Sequence, residues 1–259
     1  MDQTVSLAFR EEGSGPPLLI LHGLFGSASN WARHARALAA DLRVFSVDLR
    51  NHGRSPHVAR MDYPAMAADL GALLDRLELP AVRLLGHSMG GKAAMMLALA
   101  HPERVARLLV VDIAPRRYRG QQARVMAALQ ALDLDTLGSR GEADARLAES
   151  VPEPGLRAFL LTNLVQQAGG YAWRINLPAI SAAIADLEDF PAGSERYPGP
   201  TRFVAGAESE YLRPADEGAV RARFPAAEFA YVADAGHWVH AEQPAAFFAA
   251  VQPFLVATA

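Results

Sequence analysis

The sequence contains no cysteine, and this absence excludes disulfide bonds, thiolate metal sites and a cysteine nucleophile. It also lacks any block of basic residues: Lys and Arg total 25, Asp and Glu total 28, and the formal net charge is −3. A nucleic-acid partner is therefore not indicated, because such surfaces need clustered positive charge. Long apolar runs are missing too, and none reaches the roughly 18 residues that a membrane helix needs. We therefore expect no membrane insertion.

The first residues, Met-Asp-Gln-Thr-Val, have no basic region followed by an apolar stretch, so we predict no signal peptide and a cytoplasmic protein. Hydrophobic residues make up 51% of the 259 residues and charged residues 20%, as in an ordinary globular protein. The length suits one substantial core, or a core with a small insertion. Monomer and homodimer both stay open.

Short apolar runs alternate with amphipathic stretches through the first 113 residues. The runs are apolar throughout, which is typical of strands buried on both faces of a parallel sheet. This alternation predicts a doubly wound, mostly parallel α/β sheet. The predicted strands cover residues 17–21, 42–47, 82–85 and 105–111, and the predicted helices cover residues 27–40, 63–79 and 91–100.

The pattern changes after Pro115. From Arg119 to about Asp189 the sequence shows helical periodicity and no convincing strand, with Gly and Pro as punctuation. We expect about four short helices there. The sheet signal then returns, with predicted strands at residues 201–205 and 228–232 and a final helix at residues 244–256.

These signals divide the chain into a sheet core and an insertion. We expect residues 1–115 and 195–259 to form the core, and residues 116–194 to form a helical lid inserted into it. A lid in this place can cover the carboxyl edge of the sheet, where ligands bind in open α/β folds.

Residues 86–90 read Gly-His-Ser-Met-Gly and match the pattern G-x-S-x-G. Alone the pattern is weak, since a chain of this length contains it by chance about one time in ten. Here a buried-looking strand runs into it and an apolar helix follows, and this arrangement lifts the serine onto a tight elbow. The helix N-terminus also favours a developing oxyanion. Ser88 is therefore the predicted nucleophile; the alternative is a glycine-rich turn with an incidental serine.

A serine hydroxyl needs a base. Where the nucleophile stands on such an elbow, the histidine comes last in chain order, after the acid. His237 follows the last predicted strand, and Gly236 gives its loop freedom to turn. His237 is the predicted base, and His240, three residues further on, is the nearest rival.

The acid usually follows the next-to-last strand, in a pattern like G-x-x-D. Here that stretch, residues 206–209, reads Gly-Ala-Glu-Ser, so Ser209 stands where the Asp is expected. Glu208 and Glu210 flank this position, but their side chains point elsewhere if the register holds.

Asp112, after the predicted strand at residues 105–111, is the preferred acid. That strand should lie beside the nucleophile strand, and the requirement for the acid is spatial, not sequential. Asp112 also sits in an apolar run, where a partner such as His237 would relieve the cost of burying a carboxylate. The alternatives are a capping or salt-bridged Asp112, with the acid supplied by Glu208, Glu210, Asp216 or Asp234.

Residues 22–26, His-Gly-Leu-Phe-Gly, follow the first predicted strand. In this type of site one oxyanion donor comes from such a loop and another from the residue after the nucleophile. The predicted donors are the backbone N–H groups of Leu24 and Met89, with Phe25 as a substitute for Leu24; the alternative is a plain tight turn. The candidate side chains for the substrate pocket are Phe25, Leu160, Trp173 and Trp238. Apolar lid residues can shape the acyl pocket, and most of them are expected only to pack the lid onto the core: Met126, Leu129, Phe159, Leu160, Leu164 and Trp173.

Together these residues resemble the α/β-hydrolase superfamily, and more narrowly the YbfF-type short-chain acyl esterases and their mitochondrial relatives. The resemblance covers nearly the whole chain and is most specific at Asp112, because that group also lacks the usual Asp after the next-to-last strand. It implies esterase activity on short acyl chains, including thioesters. The segments that carry it are residues 21–27, 48–55, 86–92, 111–115, 159–164 and 173–177.

We therefore expect a serine esterase that forms an acyl-enzyme on Ser88, with a small acyl ester as its partner and no cofactor or metal. Perhydrolases of the haloperoxidase type and carbon–carbon bond hydrolases share these motifs and are the nearest alternatives. An alternative of another class is a non-catalytic ligand receptor with the same fold.

Overall fold

The computed structural model describes residues 4–118, 120 and 122–257. Arg119, where the predicted helical stretch begins, lies outside these residues. In chain order the described strands are β1 (Phe9–Glu12), β2 (Pro17–Leu21), β3 (Arg43–Val47), β4 (Val82–His87), β5 (Val105–Val111), β6 (Leu164–Gln167), β7 (Gly170–Trp173), β8 (Thr201–Gly206) and β9 (Ala227–Val232).

Seven of these strands form one sheet in the order β1-β3-β2-β4-β5-β8-β9. Every neighbouring pair is parallel except β1 with β3, which is antiparallel. The prediction of a doubly wound, mostly parallel sheet is confirmed. Strand β1 was not predicted, because its sequence, Phe-Arg-Glu-Glu, is that of a charged edge strand and carries little apolar signal.

Helices cover both faces of this sheet. Their bounds are α1 (Ala32–Leu38), α2 (Tyr63–Arg76), α3 (Met89–Ala100), α4 (Ala123–Ala131), α5 (Arg140–Leu147), α6 (Pro154–Leu161), α7 (Leu177–Glu188), α8 (Glu217–Arg223), α9 (Val239–Glu242) and α10 (Pro244–Val256).

Successive side chains of the central strands of the large sheet pack in two separate cores, because a strand points alternate residues to opposite faces of its sheet. In β4, Leu84 packs in the core that contains Leu70 of α2. Its neighbour Leu85 packs in the core that contains Phe247 of α10. Burial on both faces explains why these strands read as continuous apolar runs.

The chain between β5 and β8 holds helices α4 to α7 and a two-stranded sheet of β6 and β7. The four helices match the predicted number, whereas the prediction that this stretch lacks strands is wrong. Strands β6 and β7 pair antiparallel, and Gln167 lies opposite Gly170, so Ala168 and Gly169 form a two-residue turn. Gly169 and Gly170 are among the Gly and Pro residues that were interpreted as breaks between helices, although glycine at a short turn is also a hairpin signal.

Side chains from this insertion, such as Phe159 of α6 and Leu187 of α7, line cavities that also contain Ser88. The insertion therefore covers the end of β4. The exact division of the chain at residues 115 and 195 stays a prediction. None of the helices within the described residues is long and apolar enough to cross a membrane.

Candidate active site

The turn between β4 and α3 forms a tight elbow. Ser88 lies at its tip with φ 52° and ψ −119°, a backbone conformation that non-glycine residues seldom adopt. A Cβ at Gly86 would lie 2.4 Å from the Gly90 carbonyl oxygen, and a Cβ at Gly90 would lie 2.5 Å from the His22 carbonyl oxygen. Both positions therefore require glycine, which explains the spacing of the motif.

Helix α3 begins at Met89, directly after Ser88. The first N–H groups of a helix have no acceptor within the helix and carry partial positive charge. The Met89 N–H is thus free of the helical hydrogen-bond ladder and adjacent to the serine hydroxyl.

Asp112 follows β5 directly, with φ 51° and no exposed surface. His237 donates from Nδ1 to Asp112 Oδ2 at 2.7 Å, although the two residues are 125 positions apart in the sequence. Ser209 donates from Oγ to the same oxygen at 2.5 Å. The structure therefore brings the preferred acid and the preferred base together.

Ser209 lies where the sequence pattern expects an Asp, at the carboxyl end of β8. There it serves Asp112 as a hydrogen-bond donor instead of supplying a carboxylate. Glu208 and Glu210 on either side are exposed, whereas Asp112 is buried against the imidazole of His237. This geometry favours Asp112 over both glutamates.

Burial raises the pKa of Asp112 to about 7, and the Ser209 hydrogen bond opposes this shift because it stabilises the carboxylate. Burial lowers the pKa of His237 to about 4. The imidazole is therefore neutral at neutral pH and can accept a proton.

Three contacts fix the orientation of His237. Its Nδ1 is bound to Asp112, its ring stacks on Tyr211 with centroids 3.9 Å apart, and its carbonyl accepts a hydrogen bond of 3.0 Å from Nε2 of His87. Ser88 and His237 line one cavity, yet no hydrogen bond joins their side chains in the described part of the chain. Such bonds commonly tighten only when substrate is bound.

The loop at residues 22–26 faces the elbow. Phe25 has φ 62° and donates its N–H to Nε2 of His52 at 3.2 Å. The Phe25 amide is therefore engaged, whereas Leu24 lines both cavities at Ser88. This arrangement favours Leu24 over Phe25 as the oxyanion donor.

Two buried histidines support this loop. His22 accepts from Leu49 N at 3.1 Å on Nε2 and donates from Nδ1 to the Gly23 carbonyl at 2.8 Å. His52 donates from Nδ1 to the Arg50 carbonyl at 3.0 Å. Burial lowers the pKa of His22 to about 4 and that of His52 to about 3. Both rings are therefore neutral, with one nitrogen donating and the other accepting.

Two cavities meet at Ser88. The inner cavity, of about 40 Å³, is lined by Leu24, Tyr63, Ser88, Met89, Lys92, Ile113, Tyr118, Gln122, Ile184, Leu187, Glu188 and Tyr211. The middle cavity, of about 60 Å³, also contains Ser88 and is lined by His22, Gly23, Leu24, Phe25, Gly26, Asn30, Trp31, His87, Gln122, Leu156, Phe159, His237, Trp238 and His240.

Comparison with known proteins gives consistent results. Residues 16–244 match the model of the family described as alpha/beta hydrolase fold. The chain is 44% identical to "sn-1-specific diacylglycerol lipase ABHD11" of Xenopus laevis, over 93% of this chain and 80% of that protein. It is 35% identical to "Esterase YbfF" of Escherichia coli, over 95% of each chain.

A solved structure titled "Marine microorganism esterase" superposes with a TM-score of 0.94 and 38% identity, over 97% of this chain and 100% of that one. The chain belongs to the α/β-hydrolase family. The resemblance to YbfF-type esterases is confirmed. Because these relatives are named esterases and a lipase, this α/β hydrolase is an enzyme of the carboxylic ester hydrolase class.

The four candidate pocket residues of this α/β hydrolase fall into two groups. Phe25 and Trp238 line the middle cavity. Leu160 is only 1% exposed and packs in the main core, and Trp173 packs against that core at the end of β7. Neither Leu160 nor Trp173 is among the residues that line the two cavities at Ser88, because both side chains hold the insertion onto the sheet domain.

Lys92 is a residue whose role sequence reasoning missed. It is 1% exposed, and its Nζ donates to the carbonyls of Leu187, Glu188 and Asp189 at 3.4, 3.1 and 2.7 Å. Burial lowers its pKa to about 7. The ammonium thus ties the C-terminus of α7 to the nucleophile helix. Its signal was a single charge in an otherwise apolar helix, which needs a buried partner.

The supporting roles of His52, Ser209 and Tyr211 were missed as well. His52 belongs to the segment 48–55, which carries the family resemblance without indicating what its residues contact. Within the described residues no group of three or more His, Cys, Asp or Glu side chains is arranged to hold a metal ion.

Proposed function

We propose that this α/β hydrolase cleaves short-chain carboxylic esters or thioesters through an acyl-enzyme on Ser88. One observation carries the proposal: His237 is bound through Nδ1 to Asp112 at 2.7 Å and also lines the cavity that contains Ser88. A histidine held in this way has its other nitrogen available as a base for the serine.

In the first step, Nε2 of His237 accepts the Ser88 proton while Oγ attacks the carbonyl carbon of the substrate. The negative charge that forms on the carbonyl oxygen is stabilised by the N–H groups of Leu24 and Met89. The bond to the leaving group then breaks, and His237 returns the proton to the departing oxygen or sulfur. Asp112 keeps the imidazole of His237 in the tautomer with its proton on Nδ1, and it stabilises the imidazolium that forms when His237 takes up the serine proton.

In the second step, water gives a proton to His237 and attacks the acyl carbon. The bond from that carbon to Ser88 Oγ then breaks, and His237 returns the proton to Oγ, which releases the acid and restores the serine hydroxyl. The neutral state of His237 supports its role as base in both steps, because burial lowers the pKa of the imidazole to about 4.

The size of the inner cavity supports the preference for short acyl groups. It measures about 40 Å³, and a group of the size of a water molecule needs about 10–15 Å³. A small cavity of this kind suits a short acyl chain such as butyryl better than a long one. The Xenopus relative is named as a lipase for diacylglycerol; we propose a smaller acyl group for this chain.

A fluorophosphonate probe and a burst experiment test the proposal. We expect the probe to label Ser88, and p-nitrophenyl butyrate to give burst-phase acylation that is abolished in Ser88→Ala. Ser194→Ala is the control and should keep the burst, because it removes the hydroxyl of an exposed serine and leaves the nucleophile in place. Failure to label wild-type protein would favour a non-catalytic receptor.

A further inference from the structure

A third cavity, here called the outer groove, lies beyond the middle cavity and measures about 570 Å³. Pockets of roughly 300–1,000 Å³ are the size that holds drug-sized ligands. The groove lies between α6 of the insertion, the start of α1 and the loop that carries His237. It is lined by Asn30, Arg33, His34, Glu153, Gly155, Leu156, Phe159, Trp238, His240, Ala241 and Glu242.

The outer groove adjoins the middle cavity, because five residues line both. It shares walls with the middle cavity at Leu156, Phe159 and Trp238, and also at Asn30 and His240. The middle cavity in turn contains Ser88 and His237. The inner cavity, the middle cavity and the outer groove are together called the path here, because each shares lining residues with the next.

The direction of proton transfer indicates which half of an ester enters this path. His237 must return its proton to the leaving oxygen or sulfur, so the leaving group has to lie on the side of His237. His237 lines the middle cavity and not the inner one. The acyl group must then lie on the opposite side, in the inner cavity beside Met89.

The two ends of this path differ greatly in size. The inner cavity has about 40 Å³ and the outer groove about 570 Å³. The rings of Phe159 and Trp238, whose centroids are 6.3 Å apart, line the groove where it joins the middle cavity. Aromatic walls of this kind bind flat apolar groups.

The charged residues of the outer groove do not favour an anion. Glu153 pairs with Arg124 at 3.0 Å, and Glu242 accepts hydrogen bonds from the backbone N–H groups of Gly236 and Trp238. With Arg33, these groups give the rim of the groove mixed charge. Its selectivity therefore comes from the apolar walls.

Resting on the function proposed above, we infer that the outer groove binds the leaving group. The substrates are then esters of a short acid with a bulky, uncharged alcohol or thiol that carries an aromatic or apolar part. The groove acts on acylation alone, because the leaving group has departed before water attacks the acyl-enzyme.

Two substrate series test this inference with the intact enzyme. The first keeps the acetyl group and enlarges the alcohol, from ethyl acetate to 2-naphthyl acetate. The second keeps p-nitrophenol and lengthens the acyl chain from acetyl to octanoyl. The variants are Phe159→Ala and Leu156→Ala, and Phe248→Ala is the control because Phe248 lies on α10 and lines none of the three cavities.

We expect Phe159→Ala to lower kcat/KM for 2-naphthyl acetate about tenfold relative to ethyl acetate, the change expected for about 1.4 kcal/mol of lost contact. The profile against acyl length should stay unchanged, and Phe248→Ala should change neither series. A shift of the acyl-length profile in Phe159→Ala would mean that the groove binds the acyl chain. An unchanged ratio of kcat/KM between 2-naphthyl acetate and ethyl acetate would mean that the groove binds no part of the substrate. Either result overturns the inference. Fluorophosphonate labelling of Ser88 would persist in both cases, so failure of the groove assignment is distinguishable from failure of the proposed function.

Discussion

The two sides of the site hold their histidines differently. On the oxyanion side, His22 and His52 are hydrogen-bonded through both ring nitrogens, to the backbone alone. On the acid–base side, His237 is bound through Nδ1 to Asp112 and lines a cavity that contains Ser88. The comparison separates histidines that hold a loop from one that is arranged to exchange a proton.

The difference also concerns charge. The rings of His22 and His52 have their pKa lowered by burial to about 4 and about 3, so they keep one protonation state across the working range of an esterase. Burial moves Asp112 in the other direction, to a pKa of about 7. The oxyanion side is thus electrostatically constant, and pH dependence should come from the acid–base side.

The largest effect should follow from removing the charge on the acid–base side. We expect Asp112→Asn to lower kcat by about 10⁴-fold, as loss of the acid does in other Ser-His-Asp sites, because the wrong imidazole tautomer is then stabilised. Glu208→Gln is the control and should retain wild-type turnover, since Glu208 is exposed. The measurement is steady-state hydrolysis of p-nitrophenyl butyrate. If Asp112→Asn kept wild-type turnover and Glu208→Gln lost it, Glu208 would be the acid.

A smaller loss should follow on the oxyanion side. His52→Phe keeps the ring but removes the acceptor for the Phe25 amide, which frees the loop that carries Leu24. We expect kcat to fall about 10²-fold, the cost of displacing one oxyanion donor, with little change in the pH profile. His101→Phe, at an exposed histidine, is the control. A shifted pH profile in His52→Phe would contradict the separation of the two sides.

The smallest effect should come from Ser209. Its hydrogen bond lowers the pKa of Asp112, so Ser209→Ala should raise that pKa further. The carboxylate is the active form, and activity is lost as pH falls through its pKa. The acid limb of kcat/KM should therefore move to higher pH, with about a threefold to tenfold loss near pH 7, the range expected for one hydrogen bond worth about 1 kcal/mol.

Ser209→Thr keeps a hydroxyl and should restore the acid limb toward its wild-type position. A uniform loss of activity at every pH, with no movement of the limb, would mean that Ser209 is only structural.

Much of this architecture was predictable from local patterns. The strands at residues 17–21 and 105–111 have the predicted bounds, because burial on both faces makes such strands apolar at every position. The hairpin at residues 164–173 was missed, since its strands have only four residues each and include two exposed glutamines. Short, half-exposed strands carry neither a helical nor an alternating signal.

The sequence by itself determined the buried strands of the sheet core and the helices between them, the elbow at Ser88 and the candidacy of Asp112 and His237, because these depend on residues that are neighbours in the chain. Only the tertiary structure decided what joins distant segments: the shared oxygen of Asp112 between His237 and Ser209, the tie from Lys92 to α7 and the sizes of the cavities. These depend on how separate loops meet at one edge of the sheet, and hydrophobic periodicity within a segment carries no information about such contacts.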